Sequence, residues 1–139
     1  MTMTRRCMLA LLAATLAACS PDAPSQARGD LPATLVLEPG VAVSVAGTDL
    51  ELRLIEIVSD SRCPRDVTCV WAGEVQVRLS VRSGNTPARE HEVVAGNSVT
   101  VGAYVIGVEK VEPEPVENQK ISPREYRVTV RVEAAGQVP

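Results

Sequence analysis

Two cysteines, Cys63 and Cys69, lie in the one stretch of the chain whose residue types and spacing could do chemistry. Residues 59–74 read S-D-S-R-C-P-R-D-V-T-C-V-W-A-G-E, so charged residues flank the cysteines and the single tryptophan follows them. A disulfide between the two cysteines would close a short loop and add about 2–2.5 kcal/mol of stability in the chain-entropy model. A zinc site is disfavoured, because two thiolates and the single histidine, His91, do not supply four ligands.

The same stretch supplies five candidate binding residues. In one interpretation, Trp71 packs against the disulfide and closes one end of the domain, where its N–H would need a partner. In the other, the loop is an exposed recognition tip on a rigid sheet, and Trp71, or Arg62 and Arg65, are its anchors. The sequence leaves both interpretations open. The candidate residues are Asp60, Arg62, Arg65, Trp71 and Glu74.

Catalytic and metal-binding residues are not predicted. His91 lies between two glutamates on a predicted strand, where we expect it on a solvated outer face. No serine lies in a G-x-S-x-G elbow, and disulfide-bonded cysteines cannot act as nucleophiles. Asp60, Asp66 and Glu74 could gather around calcium, but their order does not follow the EF-hand spacing. We therefore expect no metal and no cofactor.

The start of the chain predicts export from the cytoplasm. Two arginines precede an apolar run over residues 7–16, which is shorter than the roughly 20 residues that span a bilayer. A basic head followed by a short apolar run is typical of a secretory signal peptide. In an oxidising compartment, the even pair of cysteines in the body of the chain would form a disulfide.

The residues Leu16-Ala17-Ala18-Cys19 resemble the lipobox of bacterial lipoproteins. The resemblance implies that residues 1–18 are a cleaved signal peptide and that Cys19 becomes the lipidated first residue, which anchors the protein to a membrane. Two or more acyl chains at one residue give stable anchoring. Ser20 follows the cysteine, where an Asp would favour the inner membrane, so the resemblance implies the periplasmic face of the outer membrane. An ordinary secreted protein is the alternative.

The charge of the mature chain disfavours nucleic-acid partners. Residues 1–18 contain two arginines and no acidic residue, so 12 of the 14 basic residues remain against all 17 acidic ones, a net charge of −5. An acidic body offers no basic patch to a phosphate backbone.

Short apolar runs separated by turn residues predict an all-β domain over residues 33–139. Three prolines and few large apolar residues in 20–32 indicate a flexible tether, so that 19–32 form a lipidated cysteine and linker spanning about 20 Å. Residues 74–82 and 126–134 alternate apolar and polar side chains, which is typical of strands with one buried face. About seven such strands predict a single antiparallel β-sandwich or a small barrel. The alternation changes phase at Leu54-Ile55, which indicates a bulge or a change of sheet.

Two short motifs carry a family resemblance. They are Asp60-Ser61-Arg62-Cys63-Pro64 and Cys69-Val70-Trp71-Ala72-Gly73-Glu74. Together they resemble a family of small, uncharacterised bacterial exported proteins and lipoproteins, over roughly residues 50–132. The resemblance implies export and a shared fold, and it brings no activity with it.

These patterns predict a lipid-anchored envelope protein that acts as a non-catalytic binding module. We expect the disulfide-closed loop to face an envelope protein, a glycan or a small ligand. Two alternatives stay open: a hydrolase or other enzyme whose site the sequence does not reveal, and a protease-inhibitor-like lipoprotein.

Overall fold

A computed structural model describes residues 31–136 of the chain. The predicted signal peptide, Cys19 and most of the predicted tether lie outside the described residues. Within residues 31–136, no helix is long and apolar enough to cross a membrane. A single 3-10 turn, Pro123–Glu125, and eight strands make up the regular structure of this part. The strands are β1 (Ala33–Leu37), β2 (Ala42–Ser44), β3 (Leu50–Asp60), β4 (Val75–Ser83), β5 (Arg89–Val94), β6 (Ser98–Val101), β7 (Tyr104–Glu112) and β8 (Arg127–Ala134).

The strands form two antiparallel sheets of four strands each, in the orders β1-β8-β7-β6 and β2-β3-β4-β5. Neither sheet closes on itself, so the domain is a small β-sandwich, and the prediction of an antiparallel all-β fold is confirmed. Two faces pack against each other when each strand turns alternate side chains inward.

The core lies between the two sheets and is built from aliphatic side chains. In β4 every second residue from Val75 to Val81 is buried, and in β8 the same holds from Val128 to Val132. The predicted alternation in these two strands is confirmed. Leu31, at the end of the predicted tether, also packs against this core. Among the described residues, no polar or charged residue is fully buried.

The phase change in β3 is a β-bulge. Leu54 pairs with Leu79 and Glu56 pairs with Arg78, so Ile55 is an extra residue without a partner in β4. A second register shift follows between Ile57 and Ser59. The expectation of a bulge is confirmed, and its extra residue explains why the apolar alternation moves to the other parity.

His91 does not lie on the outer face of its sheet, and this expectation is wrong. It pairs directly with Leu79, which is fully buried, and residues directly opposite in an antiparallel pair share a face. The imidazole is half-buried, and its Nε2 has no hydrogen-bond partner among residues 31–136. Val93, two residues further along β5, is buried, and His91 lies on the same face of the strand because alternate residues share a face.

The strand register defines two ends of the sandwich. Ala33, where the domain follows the predicted tether, pairs with Val132 near the end of β8. Tyr126, just before β8, instead donates a hydrogen bond to Asp60 at the start of the loop 60–74. Six residues of strand, about 20 Å, separate these two positions along β8. We call the end with Ala33 the tether pole and the end with the loop the loop pole.

Candidate functional site

The loop leaves the sandwich through a narrow neck that extends the pairing of β3 and β4. The Ser61 N–H donates to the Glu74 carbonyl at 2.8 Å, and the Glu74 N–H donates to Ser61 Oγ at 3.1 Å. Two residues further out, the Cys63 N–H donates to the Ala72 carbonyl at 2.9 Å. Glu74, one of the predicted binding residues, therefore contributes its backbone to the neck while its side chain is exposed.

Gly73 is required for the two sides of the neck to approach each other. Its φ is +68°, a conformation that residues with a Cβ rarely adopt. A Cβ at this position would lie 1.8 Å from the Ser61 carbonyl oxygen, far inside van der Waals contact. The glycine in the W-A-G-E motif thus has a structural role at the base of the loop.

Arg62 holds the inner side of the loop to the rest of the domain. Its Nε and Nη2 donate to the two carboxylate oxygens of Asp60 at 2.8 and 2.6 Å. Its Nη1 donates to the Val111 carbonyl at 2.6 Å and its Nη2 to the Pro113 carbonyl at 3.0 Å. Tyr126 Oη donates to the same carboxylate at 3.1 Å. We call Asp60, Arg62 and Tyr126 the clamp.

Each member of the clamp keeps one protonation state at neutral pH. Burial raises the pKa of Asp60, but hydrogen bonds from the Arg62 side chain and N–H and the charge of Arg62 outweigh it, so the net pKa is lowered. Burial, followed by the negative charge of Asp60, raises the pKa of Tyr126 to about 12. The hydrogen bond to Asp60 raises the already high pKa of Arg62. The clamp is therefore suited to holding a loop and not to acid–base catalysis.

Cys63 and Cys69 form a disulfide, with their Cα atoms 5.9 Å apart, and the predicted pairing is confirmed. The closed loop also rests on the segment after β7, since the Arg65 N–H donates to the Pro115 carbonyl at 3.0 Å. The side chain of Arg65 is exposed beside an open depression that is also lined by Lys110 and Glu114.

The three carboxylates that could have gathered around calcium do not do so. Asp60 lies in the clamp, and Asp66 Oδ1 accepts a hydrogen bond from the Glu117 N–H at 2.9 Å. In the part of the chain that the structure describes, no group of three or more His, Cys, Asp or Glu side chains could hold a metal ion.

Trp71 lies at the outer end of the loop and is 82% exposed, beside Val70 at 91%. The interpretation in which Trp71 packs against the disulfide and closes the core is therefore wrong. Tyr126 belongs to the core at this pole and Ile121 packs against it, so side chains from the far end of the chain occupy that place. We call Val70 and Trp71 the tip.

The five predicted binding residues thus divide into three groups. Asp60 and Arg62 are engaged within the domain, Glu74 supports the neck, and Trp71 and Arg65 are exposed. Sequence reasoning missed Val70, although an apolar residue next to an aromatic one in a polar loop was a usable signal. It also missed the role of Tyr126, for which the local sequence carried no signal.

No family model matches this sequence, and no curated protein and no solved structure matches it either. The resemblance to small exported proteins therefore stays a prediction.

Proposed function

We propose that the protein is a lipid-anchored, non-catalytic binding module of the cell envelope that captures a partner through Val70 and Trp71. The observation that carries the proposal is the 82% exposure of Trp71 on a loop that the domain fixes at several points. The indole of tryptophan has a large apolar surface, and its exposure to water is unfavourable. A partner that covers it removes this surface from water, which favours binding. Tryptophan is also among the residues most enriched at the energetic centres of interfaces.

The rigidity of the loop supports the same proposal. The disulfide, the neck and the clamp fix the backbone on both sides of the tip. Association costs free energy for every group that has to be ordered, and a loop that is already ordered avoids much of that cost. A domain with no use for its tip would gain little from so many restraints around an exposed aromatic side chain.

The two poles bear on where the partner lies. The predicted anchor at Cys19 joins the domain through the predicted tether of residues 19–32, which meets the domain at Ala33, at the tether pole. The tip is at the loop pole, so Trp71 lies at the end of the domain opposite the attachment of the tether and stays accessible when the domain is anchored. A component of the periplasm is therefore the proposed partner.

Crosslinking in intact cells tests the proposal. A photoreactive amino acid at position 70 should give an adduct of higher mass, and adding Trp71→Ala should remove it, because the aromatic anchor is lost. The same amino acid at position 36 is the matched control, since Val36 is an apolar residue of β1 that is 56% exposed and lies outside the loop. An adduct of equal yield from both positions, or from neither, would contradict the proposal.

Fractionation tests the anchor separately. The Cys19→Ala protein should leave the membrane fraction and should not incorporate labelled palmitate, because the lipobox thiol is the only predicted acylation site. Unchanged membrane association of the variant would require a different account of the N-terminal residues.

A further inference from the structure

The segment Thr68–Ala72 is a run of five consecutive exposed residues, and the chain bends at Val70 and Trp71. Within residues 31–136, the backbone N–H and C=O groups of residues 68–71 take part in no hydrogen bond. Backbone groups left free on a protruding segment can pair with the edge of a cleft in another protein. The segment therefore offers a partner both its main chain and its apolar side chains.

Cys63 holds both sides of the peptide bond between Trp71 and Ala72. On one side it is joined by the disulfide to Cys69, two residues before that bond. On the other side its N–H donates to the Ala72 carbonyl at 2.9 Å. The chain after Ala72 is fixed further by the pairing of Glu74 with Ser61. If this peptide bond were cut, the two new ends would stay next to each other.

This arrangement would affect a serine endopeptidase that attacks the peptide bond between Trp71 and Ala72. When a serine Oγ adds to the Trp71 carbonyl carbon, the bond to the Ala72 nitrogen breaks, and the serine proton passes through the enzyme's base to that nitrogen. The products are an ester on the enzyme and a free amine on Ala72. Because the amine is held in place at a high effective concentration, it attacks the ester in competition with water. The amide then forms again and the proton returns to the serine.

We propose that Thr68–Ala72 occupies the active-site cleft of a serine endopeptidase as a slowly consumed substrate, with Trp71 in the primary specificity pocket. The inference rests on the proposed function, since it names the partner of the same tip. The indole selects an enzyme with a large apolar pocket of the kind that accepts aromatic side chains. The rigid loop keeps the enzyme occupied, so the protein acts as an inhibitor.

The test uses the full chain, purified with its disulfide intact, against chymotrypsin and trypsin on chromogenic peptide substrates. The wild-type protein should inhibit chymotrypsin with an inhibition constant at or below micromolar, and it should not inhibit trypsin. Trp71→Arg should weaken inhibition of chymotrypsin by about 30-fold or more and create inhibition of trypsin, whose primary pocket carries an aspartate. Val36→Ala, which changes an exposed apolar residue outside the loop, should match wild type.

A second variant separates binding from rigidity. In the Cys63→Ser/Cys69→Ser protein one restraint on the bond is gone, so chymotrypsin should cut after Trp71 and release the enzyme. Rapid cleavage of the disulfide-bonded protein at Trp71–Ala72 without inhibition would overturn the inference. The inference would also be overturned if the wild-type protein did not inhibit chymotrypsin and Trp71→Arg did not inhibit trypsin.

These failures are distinguishable from failure of the proposed function. A Trp71-dependent adduct from position 70, or Trp71-dependent retention on purified peptidoglycan, combined with no inhibition, would overturn the protease inference and leave the binding module standing. A lack of any adduct from position 70 would instead contradict the binding module itself.

Discussion

Arg62 and Trp71 lie nine residues apart in the same loop, yet their surroundings are opposite. The arginine side chain is only 18% exposed and donates to a carboxylate and two backbone carbonyls, whereas the tryptophan is 82% exposed. Arginine is usually a surface residue, and tryptophan is usually well buried. This contrast indicates that the clamp contributes to stability and that the indole of the tip contributes little to it, which is compatible with the proposed role of the tip in binding.

This division means that the effect of a substitution in the loop on the free energy of unfolding should depend on where the residue lies. Changes in the clamp or the neck should lower the free energy of unfolding, and changes at the tip should not. Stability measurements on a small set of variants can therefore show whether the clamp and the neck stabilise the domain more than the tip does.

The largest effect is expected at the neck. Gly73→Ala should lower the free energy of unfolding by about 3 kcal/mol, which combines the strain of a positive φ with the overlap of the new Cβ and the Ser61 carbonyl oxygen. Chemical denaturation measures the change. Gly102→Ala is the matched control, because Gly102 also has a positive φ, +58°, but has open space around it, so it should cost only about 1 kcal/mol.

The clamp should give the next largest effect. Arg62→Ala leaves the Asp60 carboxylate, which is 12% exposed, without its cation and removes the donors to the Val111 and Pro113 carbonyls. Removing one partner of a fully buried pair costs about 3–5 kcal/mol, and this partly buried pair should cost about 2 kcal/mol. Arg65→Ala, an exposed arginine in the same loop, should stay within about 0.5 kcal/mol of wild type. Equal losses of unfolding free energy for Arg62→Ala and Arg65→Ala would mean that the clamp contributes no more to stability than an exposed arginine does.

The sequence could predict the parts of this structure that depend on local pattern. Strands β4 and β8 alternate without interruption, so their buried faces follow from residue parity alone. The disulfide follows because only two cysteines remain in the body of the chain. The bulge at Ile55 was visible as a change of phase.

Apart from the local pair of Asp60 and Arg62, the contacts of the clamp could not be predicted in the same way, because they join distant parts of the chain. The acceptors of Arg62 lie 49 and 51 residues away, and Tyr126 lies 66 residues from Asp60. No local pattern specifies such pairs. The sequence could not decide between a buried and an exposed Trp71 for a related reason. Hydrophobicity alone favours burial, whereas the neck places the residue beyond the end of the core.

Acid should weaken the clamp by a smaller amount. The pKa of Asp60 is lowered in the folded protein, so this group stabilises the fold above its unfolded pKa, near 3.8, and the contribution is lost as the pH falls through the folded value. The gap in unfolding free energy between wild type and Asp60→Asn should therefore narrow as the pH is lowered from about 5 toward 2. Val36→Ala removes no titrating group and should keep a constant gap. A pH-independent gap for Asp60→Asn would mean that the carboxylate charge does not contribute.

The smallest effect is expected at the tip, and it is the most informative about the comparison. Trp71→Ala removes the largest side chain of the chain, and truncation of a buried tryptophan costs about 3–5 kcal/mol. Because Trp71 is 82% exposed, the change in unfolding free energy should instead stay within about 0.5 kcal/mol. Chemical denaturation with Val36→Ala alongside gives the reference for losing an exposed apolar side chain. A loss of 2 kcal/mol or more would show that the indole packs against the domain in solution, and the tip would then belong with the clamp as part of the structure that stabilises the fold.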